Sequence, residues 1–209
     1  MKRLQDSPDQ VFARLAQRAE AEAWQPEEAF DWSRPIVTSL LWPRGLERRL
    51  LAQLRHGEAA TGALCRRLCH EIPGQGAARY LAAQAADEAR HAAAYAAYAA
   101  RMGEEGAPDA DLDEIFRAAS SWSGHPVALV LAFHVVIEGE ALKLQSALAA
   151  RAPCPLFRAL NARIAREEAR HVAFGVHYAR ASLPALEPDE RAAIATWLKR
   201  LWLDAARAS

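Results

Sequence analysis

The feature that most constrains the fold is a tetrapeptide, Glu-Ala-Arg-His, which occurs at residues 88–91 and again at residues 168–171. Residues three positions apart on an α-helix project from the same face, so the glutamate and histidine of each copy can bind one metal ion from one side. A single Glu-x-x-His pair is a weak signal, because Glu and His fall three apart by chance on many solvated helices. Two copies require a common explanation.

Two further glutamates extend the pattern. Glu58 precedes Glu88 by thirty positions, Glu138 precedes Glu168 by the same interval, and the two members of each kind are eighty positions apart. These intervals indicate an internal repeat of helix pairs. The alternative, a solvated bundle whose acids pair with the many arginines, does not require them. Glu140 is the alternative to Glu138, but its interval to Glu168 is two positions shorter and breaks the repeat.

Prolines between the glutamates predict where the chain turns. Pro73 lies midway between Glu58 and Glu88, fifteen positions from each, and Pro153 divides the second pair in the same way. At a rise of about 1.5 Å per residue, each glutamate should lie roughly 22 Å from its turn, near the middle of a long helix. The glutamates of each hairpin should therefore be level with each other and buried.

The rest of the chain is rich in Ala, Leu, Arg and Glu, which favour helices, and it lacks alternation of period two. We therefore predict an all-α single domain over residues 1–209. Ser7 and Gln10 form a capping-box pattern that begins the first helix. The predicted helices span about 8–24, 45–72, 77–102, 111–121, 126–151, the segment after the Pro153-Cys154-Pro155 turn as far as Ser182, and 190–207, with an irregular connection over 25–43. The core bundle is then about 45–182, with an N-terminal extension at 1–44 and a last helix, carrying Trp197, Leu201 and Trp202, that packs outside the bundle.

Composition limits the partners and the compartment. There are 26 basic and 26 acidic residues, so no excess charge favours nucleic acid or an anionic membrane surface. The longest apolar run, 127–137, is too short to span a bilayer, and no apolar stretch follows the basic residues at the start. Three cysteines, Cys65, Cys69 and Cys154, fit reduced thiols better than a disulfide framework. We expect a cytoplasmic protein.

The predicted ligands also have the right chemistry for metals. Burying four carboxylates and two imidazoles without compensation is very unfavourable, whereas two divalent cations balance the four negative charges. A mostly oxygen ligand set with one nitrogen per ion suits iron or manganese better than a metal that prefers thiolate. The six candidate ligands are Glu58, Glu88, His91, Glu138, Glu168 and His171.

The two motifs, Asp87 to His91 and Glu167 to His171, resemble the duplicated iron-ligand motifs of the ferritin-like di-iron carboxylate superfamily, and 171–175 (His-Val-Ala-Phe-Gly) strengthens the resemblance. The resemblance covers roughly residues 45–182. Within the superfamily, the chain most resembles the oxidase and oxygenase branch, which includes the radical-generating subunit of ribonucleotide reductase. It implies an antiparallel four-helix bundle with additional terminal helices around a bridged di-iron centre. One ion would be held mainly by Glu58, Glu88 and His91, and the other mainly by Glu138, Glu168 and His171.

The resemblance also implies residues behind the ligands. Asp87 and Glu167 would orient the ligand histidines, with Arg90 and Arg170 as their partners, although aspartate is more common than glutamate at the position of Glu167. Two further residues carry open alternatives. Tyr95 is either a redox tyrosine or a core tyrosine. His134 is either a group behind the ligands, a third nitrogen ligand, or a hydrogen-bonded core histidine.

Small and apolar residues one turn beyond the ligands allow two interpretations. Thr61 and Gly62 follow Glu58, and Ala141 and Leu142 follow Glu138, either to line an apolar substrate pocket or to let helices pack closely. The six tryptophans lie outside the ligand helices and are interpreted as core and covering residues.

The expected function is an oxidase or oxygenase with two iron ions, or iron and manganese, that uses O2 to hydroxylate, desaturate or N-oxygenate a small organic substrate. The chain lacks a cysteine set for an iron–sulfur centre and a dinucleotide-binding glycine loop, which implies an external electron donor such as a ferredoxin or reductase. The sequence is also compatible with a homodimer. The alternatives are an iron-storage or ferroxidase protein, a radical-generating subunit, and a bundle that has kept the ligands but lost the chemistry.

Overall fold

A computed structural model describes residues 7–103 and 106–208, with side chains as far as Asp204. Residues 1–6 of the predicted N-terminal extension lie outside the described part. Within that part the regular secondary structure is helical. The described residues form no β-strand, and their β-type pairing is limited to an isolated bridge between Ser39 and Trp42. The predicted all-α fold is confirmed.

The helices follow the predicted order. Their bounds are α1 Pro8–Ala21, α2 Pro26–Ala29, α3 Arg44–Glu71, α4 Gln75–Met102, α5 Ala110–Ser120, α6 Val127–Val130, a π-helical segment Leu131–Ile137, α7 Glu138–Arg151, α8 Pro155–Ser182, a 3-10 turn Leu183–Ala185, and α9 Pro188–Ala208. The first helix ends three residues before the predicted Trp24, and residues 26–29, predicted to be irregular, form one helical turn that begins at a proline. None of the described helices is long and apolar enough to cross a membrane.

Local signals explain where the helices begin and end. The Ser7 side chain accepts a hydrogen bond from the Gln10 amide at 3.3 Å, and the Ser7 amide donates to Gln10 Oε1 at 2.9 Å, which completes the predicted capping box. Helix α4 ends at Gly103, whose φ of +85° suits glycine. The turn into α4 uses Gly74 at φ +99°, and Asp9 of α1 accepts a hydrogen bond from the Gly76 amide at 2.8 Å. The first hairpin is thereby tied to α1.

Two antiparallel hairpins form the bundle. Helix α3 packs along α4, and α7 with the π-helical segment packs along α8, while α1 lies against both α4 and α8. Helix α9 packs on α5, and the ring centroids of Trp197 in α9 and Trp122 just after α5 are 4.8 Å apart. The last helix therefore lies outside the four-helix core, as predicted.

The third long helix differs from its prediction. Instead of one regular α-helix over 126–151, residues Leu131–Ile137 form a π-helix that ends immediately before Glu138. A side chain at Gly175 of α8 would not fit beside this segment, because an added Cβ would lie 2.6 Å from His134 Cβ. The wider π turn places His134 against α8, and helix-period patterns in the sequence do not signal such an insertion.

The apolar core lies on both sides of the middle of the bundle. One cluster includes Leu64, Leu68, Tyr80, Phe133 and Phe174, and the other includes Leu51, Tyr98, Phe157, Leu160 and Ile164. On each of the four long helices, the predicted ligand residues fall between the positions that feed the two clusters. The fold therefore encloses a polar layer at mid-bundle, at the level that the turn spacing predicts.

Candidate metal centre

The structure brings all six predicted ligand residues into one buried layer. Each has at most 6% of its surface exposed. Two groups have ligand-capable atoms within 4.8 Å of one another: one contains Glu58, Glu88, His91 and Glu168, and the other contains Glu88, Glu138 and His171. Glu140, the alternative to Glu138, is exposed and accepts a hydrogen bond from Lys143 at 2.7 Å.

The two histidines present the same ring nitrogen to the carboxylates. Nδ1 of His91 lies 3.1 Å from Glu58 Oε2 and 3.3 Å from Glu168 Oε1. Nδ1 of His171 lies 2.9 Å from Glu168 Oε2 and 3.3 Å from Glu88 Oε1. Each histidine thus directs Nδ1 into the polar layer, where it can bind a metal ion.

Two of the four carboxylates extend between the histidines. Glu88 has one oxygen 3.6 Å from His91 Nδ1 and the other 3.3 Å from His171 Nδ1, and Glu168 contacts both rings in the same manner. Glu58 contacts His91, and Glu138 lies 3.6 Å from His171. The geometry therefore suits Glu88 and Glu168 as bridging ligands, with Glu58 and Glu138 each at one ion.

Carboxylates also lie behind the histidines, in a crossed arrangement. His91 Nε2 on α4 is 2.8 Å from Glu167 Oε2 on α8, whereas His171 Nε2 on α8 is 3.3 Å from Asp87 Oδ2 on α4. The acid before each ligand glutamate therefore contacts the histidine of the other hairpin. A carboxylate that accepts a hydrogen bond from Nε2–H leaves the lone pair of Nδ1 free to bind a metal ion. This is the orienting role that the resemblance implies for Asp87 and Glu167.

The predicted arginine partners are unevenly distributed. Arg90 and Arg170 both bind Asp87, and Arg170 Nη2 lies 2.9 Å from Asp87 Oδ2 but 4.0 Å from Glu167 Oε1. The strong partner of Glu167 is instead Trp24, whose indole Nε1 donates to both carboxylate oxygens at 2.9 and 3.0 Å. Interpreting all the tryptophans as core or covering residues missed this contact, because Trp24 has no spacing that relates it to the motifs.

Two buried glutamines, also missed, complete the layer. Gln84 Nε2 lies 2.9 Å from Glu88 Oε1 and 3.2 Å from Glu138 Oε1, and Gln145 Nε2 lies 3.4 Å from oxygens of Glu58 and Glu168. A signal was available, because Gln84 stands four residues before a ligand and Gln145 stands seven residues after Glu138, each on the same helix face.

Burial and mutual charge set the protonation of the layer in the absence of metal. Burial raises the pKa of Glu58 and of Glu138 well above the usual range. Burial opposes ionisation of Glu88 and Glu168 as well, but the charge of His171 and several hydrogen bonds hold the pKa of Glu88 below normal and that of Glu168 well below normal. Burial alone would lower the pKa of each histidine, yet the surrounding carboxylates raise the pKa of His91 and His171 well above normal.

Those directions describe a neutral layer in which two imidazolium ions face two ionised and two protonated glutamates. Two divalent cations with four carboxylates and two neutral imidazoles have the same net charge. The donor set of carboxylate oxygens with one imidazole nitrogen per ion suits iron or manganese. The residues present therefore fit a di-metal centre.

Tyr95 and His134 lie outside both ligand groups. Tyr95 is fully buried, and its hydroxyl donates to Asn161 Oδ1 at 3.0 Å, which is the local partner expected of a core tyrosine. His134 is fully buried with Nε2 3.8 Å from Cys65 Sγ, and burial, with the charge of His171, lowers the pKa of His134 to about 3. A redox role for Tyr95 stays a prediction.

A cavity of about 760 Å³ reaches the polar layer between α3 and α7. Glu58 and Glu138 form part of its wall, as do Thr61 and Ala141, two of the four residues suggested for a pocket. Gly62 serves close packing, because an added Cβ would lie 3.2 Å from Glu88 Cβ. The described lining does not include Leu142.

A ferritin-like helical bundle with this duplicated ligand set defines the class: the chain is a member of the ferritin-like di-iron carboxylate superfamily, which is related to the radical-generating subunit of ribonucleotide reductase. More specifically, residues 59–205 match the sequence profile described as P-aminobenzoate N-oxygenase AurF, and the chain belongs to that family. The predicted resemblance is confirmed. No match was found among curated protein sequences.

Solved structures support the fold. An R2-like ligand-binding oxidase, in a Tyr-to-Phe variant with an anaerobically reconstituted Mn/Fe cofactor, superposes with a TM-score of 0.75 at 16% identity, covering 94% of this chain and 82% of that one. The R2-like ligand-binding oxidase with an aerobically reconstituted Mn/Fe cofactor after a long soak gives a TM-score of 0.73 at 17% identity, covering 94% and 77%.

Proposed function

We propose that the chain is an O2-dependent oxidoreductase with two iron ions, or one iron and one manganese, that transfers an oxygen atom to an organic substrate. The observation that carries this proposal is the position of the buried ligand layer at the inner wall of a large, mainly apolar cavity, with Glu58 and Glu138 belonging to both. Such a cavity gives an organic molecule access to the metal positions.

N-oxygenation of an amine is the specific reaction that we favour among hydroxylation, desaturation and N-oxygenation. Membership of a family described by an N-oxygenase supports it. The balanced change is R–NH2 + O2 + 2 e⁻ + 2 H⁺ → R–NHOH + H2O. The two redox-active ions would be held by Glu58, Glu88, His91, Glu138, Glu168 and His171, and they would supply the electron-transfer chemistry that the use of O2 requires.

The protein's own residues orient the ligand side chains and shield the cavity from water. Asp87 and Glu167 fix the ring orientation and tautomer of the two histidines from behind. Helices α5 and α9 cover the cavity, since Leu112, Phe116 and Leu201 line it. The two electrons in the balanced reaction come from a separate ferredoxin or reductase.

Iron storage is the alternative from another class, and the cavity favours the oxygenase over it, since mineral storage has no use for a mainly apolar cavity beside the ligand layer. A radical-generating role for Tyr95, a cytoplasmic location and a homodimer remain predictions.

Metal analysis combined with O2 chemistry tests the proposal. The purified, reconstituted protein should bind about two metal ions per chain, and mixing its ferrous form with O2 in a stopped-flow spectrometer should give a transient visible band. Glu88→Ala should lose both, whereas Glu140→Ala, which changes an exposed glutamate outside the ligand groups, should keep both. Less than about half an ion per chain in the reconstituted protein would refute the site. Two ions with O2 consumption, but no oxygenated product from a panel of arylamines, would refute the N-oxygenation.

A further inference from the structure

The cavity beside the ligand layer limits which substrates can bind, an inference that rests on the proposed function. Its inner wall is formed by α3 and α7 and its cover by α5 and α9. Most of the lining is apolar and includes Leu54, Ile115, Phe116, Val136, Leu144 and Leu201. These side chains favour the binding of a molecule whose body is itself mainly apolar.

The volume sets the size of that body. At about 760 Å³ the cavity lies in the upper part of the range that binds drug-sized ligands. A single substituted benzene ring would fill a minor part of it and leave much of the apolar lining in contact with water. The cavity therefore suits a molecule of two or more rings, or one ring with a long apolar substituent.

The ionisable side chains that line the cavity are all acids. Its described lining contains five acids and no lysine, arginine or histidine; the acids are Glu58, Asp109, Asp111, Glu138 and Glu140. Lys143, which binds Glu140, lies outside that lining with its side chain 73% exposed. A carboxylate at the far end of the substrate would lose its hydration without gaining a cationic side chain as a partner. The exposed carboxylates outside the ligand layer would face it at the rim; they belong to Asp109, Asp111 and Glu140.

We infer that the substrate is an extended arylamine without a carboxylate, whose amine points to Glu58 and Glu138 at the ligand layer and whose far end is uncharged or cationic at the acidic rim. This chemistry differs from that of para-aminobenzoate, the compound in the family's name, which has one ring and a carboxylate. The reaction that supplies such a substrate must leave a free aromatic amine on a mainly apolar framework without a carboxylate.

Two matched pairs of probes test the inference by binding. The first pair is an aminobiphenyl and the same aminobiphenyl with a carboxylate on the far ring, and the second is methyl para-aminobenzoate and para-aminobenzoate. Binding to the ferrous full-length protein is measured by calorimetry without O2. We expect the uncharged member of each pair to bind at least about tenfold more tightly, and the aminobiphenyl to bind more tightly than the one-ring ester. Equal or tighter binding of either carboxylate would overturn the inference.

A gain-of-function variant makes the test sharper. Leu144 lies in the cavity wall and is 38% exposed, so Leu144→Arg should place a cation at the mouth and reduce the preference for the uncharged biphenyl at least about tenfold. Leu203→Arg is the matched control, because Leu203 is similarly exposed at 44% but is outside the lining. An unchanged preference in Leu144→Arg would count against the inference.

The two proposals fail differently. Preference for carboxylates in a protein that binds two ions and consumes O2 would overturn the substrate class and leave the oxygenase standing. Selective binding of uncharged amines by a protein that binds no metal would support the substrate class and refute the oxygenase.

Discussion

Loading the metal-free protein with two divalent ions is expected to release about four protons per chain near neutral pH. Before loading, burial keeps Glu58 and Glu138 protonated, and the carboxylates keep His91 and His171 in the imidazolium form. After loading, all four must be deprotonated to act as ligands. Glu88 and Glu168, whose pKa values are lowered, are already ionised and contribute no proton.

The same count predicts how strongly metal binding depends on pH. While all four groups remain protonated in the metal-free protein, the product of the two binding constants should rise by about four powers of ten per pH unit. A solvated set of carboxylates with ordinary pKa values and neutral histidines would release almost nothing near neutral pH. The magnitude therefore separates a buried, preassembled layer from an exposed acidic cluster.

The assay is anaerobic titration with Fe²⁺ in weak buffer, with released protons followed by an indicator dye. Glu58→Gln should lower the release to about three protons, because the glutamine has no proton to lose, and Glu140→Gln should leave it at about four. Release of about two protons or fewer with both ions bound would refute the description of the metal-free layer.

Three other predictions concern packing, metal retention and pH. Gly175→Ala should lower the free energy of unfolding of the metal-free protein in urea by about 1–3 kcal/mol, because the new Cβ overlaps the π-helical segment, whereas Gly139→Ala, with no atom within 4 Å, should raise it by about 0.5–1 kcal/mol. Trp24→Phe should weaken metal binding about tenfold through the lost hydrogen bonds to Glu167, and Trp32→Phe, whose indole binds a backbone oxygen instead, should not. Metal-free protein should lose stability as the pH rises above about 4.5, where folded Glu58 and Glu138 keep protons that the unfolded chain loses, and more steeply above about 6.5, where His91 and His171 do the same. The loss should be about 1.4 kcal/mol per pH unit for each proton that the folded state holds in excess, and urea midpoints that rise with pH above about 6.5 would contradict it.

Much of this site could be predicted because its constraints are periodic. Equal intervals between Glu58, Glu88 and their counterparts, with a proline at each midpoint, determine which residues are level in the bundle. Helix ends followed from local chemistry at Ser7 and Gly103, where a cap or a positive φ needs particular residues. Each of these inferences uses neighbours within one helix or one hairpin.

Contacts between hairpins could not be predicted in the same way. That Glu167 contacts His91 rather than the histidine of its own helix depends on the rotation of α8 relative to α4, and sequence spacing does not report rotation. The indole of Trp24 reaches Glu167 across 143 positions of sequence. The π-helical segment depends on the space left by Gly175 on a different helix.

The repeat itself stops where the ligands stop. Residues eighty positions apart correspond in the repeat, so Tyr95 corresponds to Gly175 and Cys65 corresponds to Gln145. One half of the layer therefore has a buried hydroxyl and a buried amide beside it, where the other half has a glycine and a thiol. His134 occupies the space that Gly175 leaves, close to Cys65. Both halves must keep the same ligands because each ion needs the same charge balance, but the residues one or two turns away are free to differ. The two candidate metal positions therefore have the same kinds of donor atoms but different surroundings, and such a difference would suit a centre that holds two unlike ions.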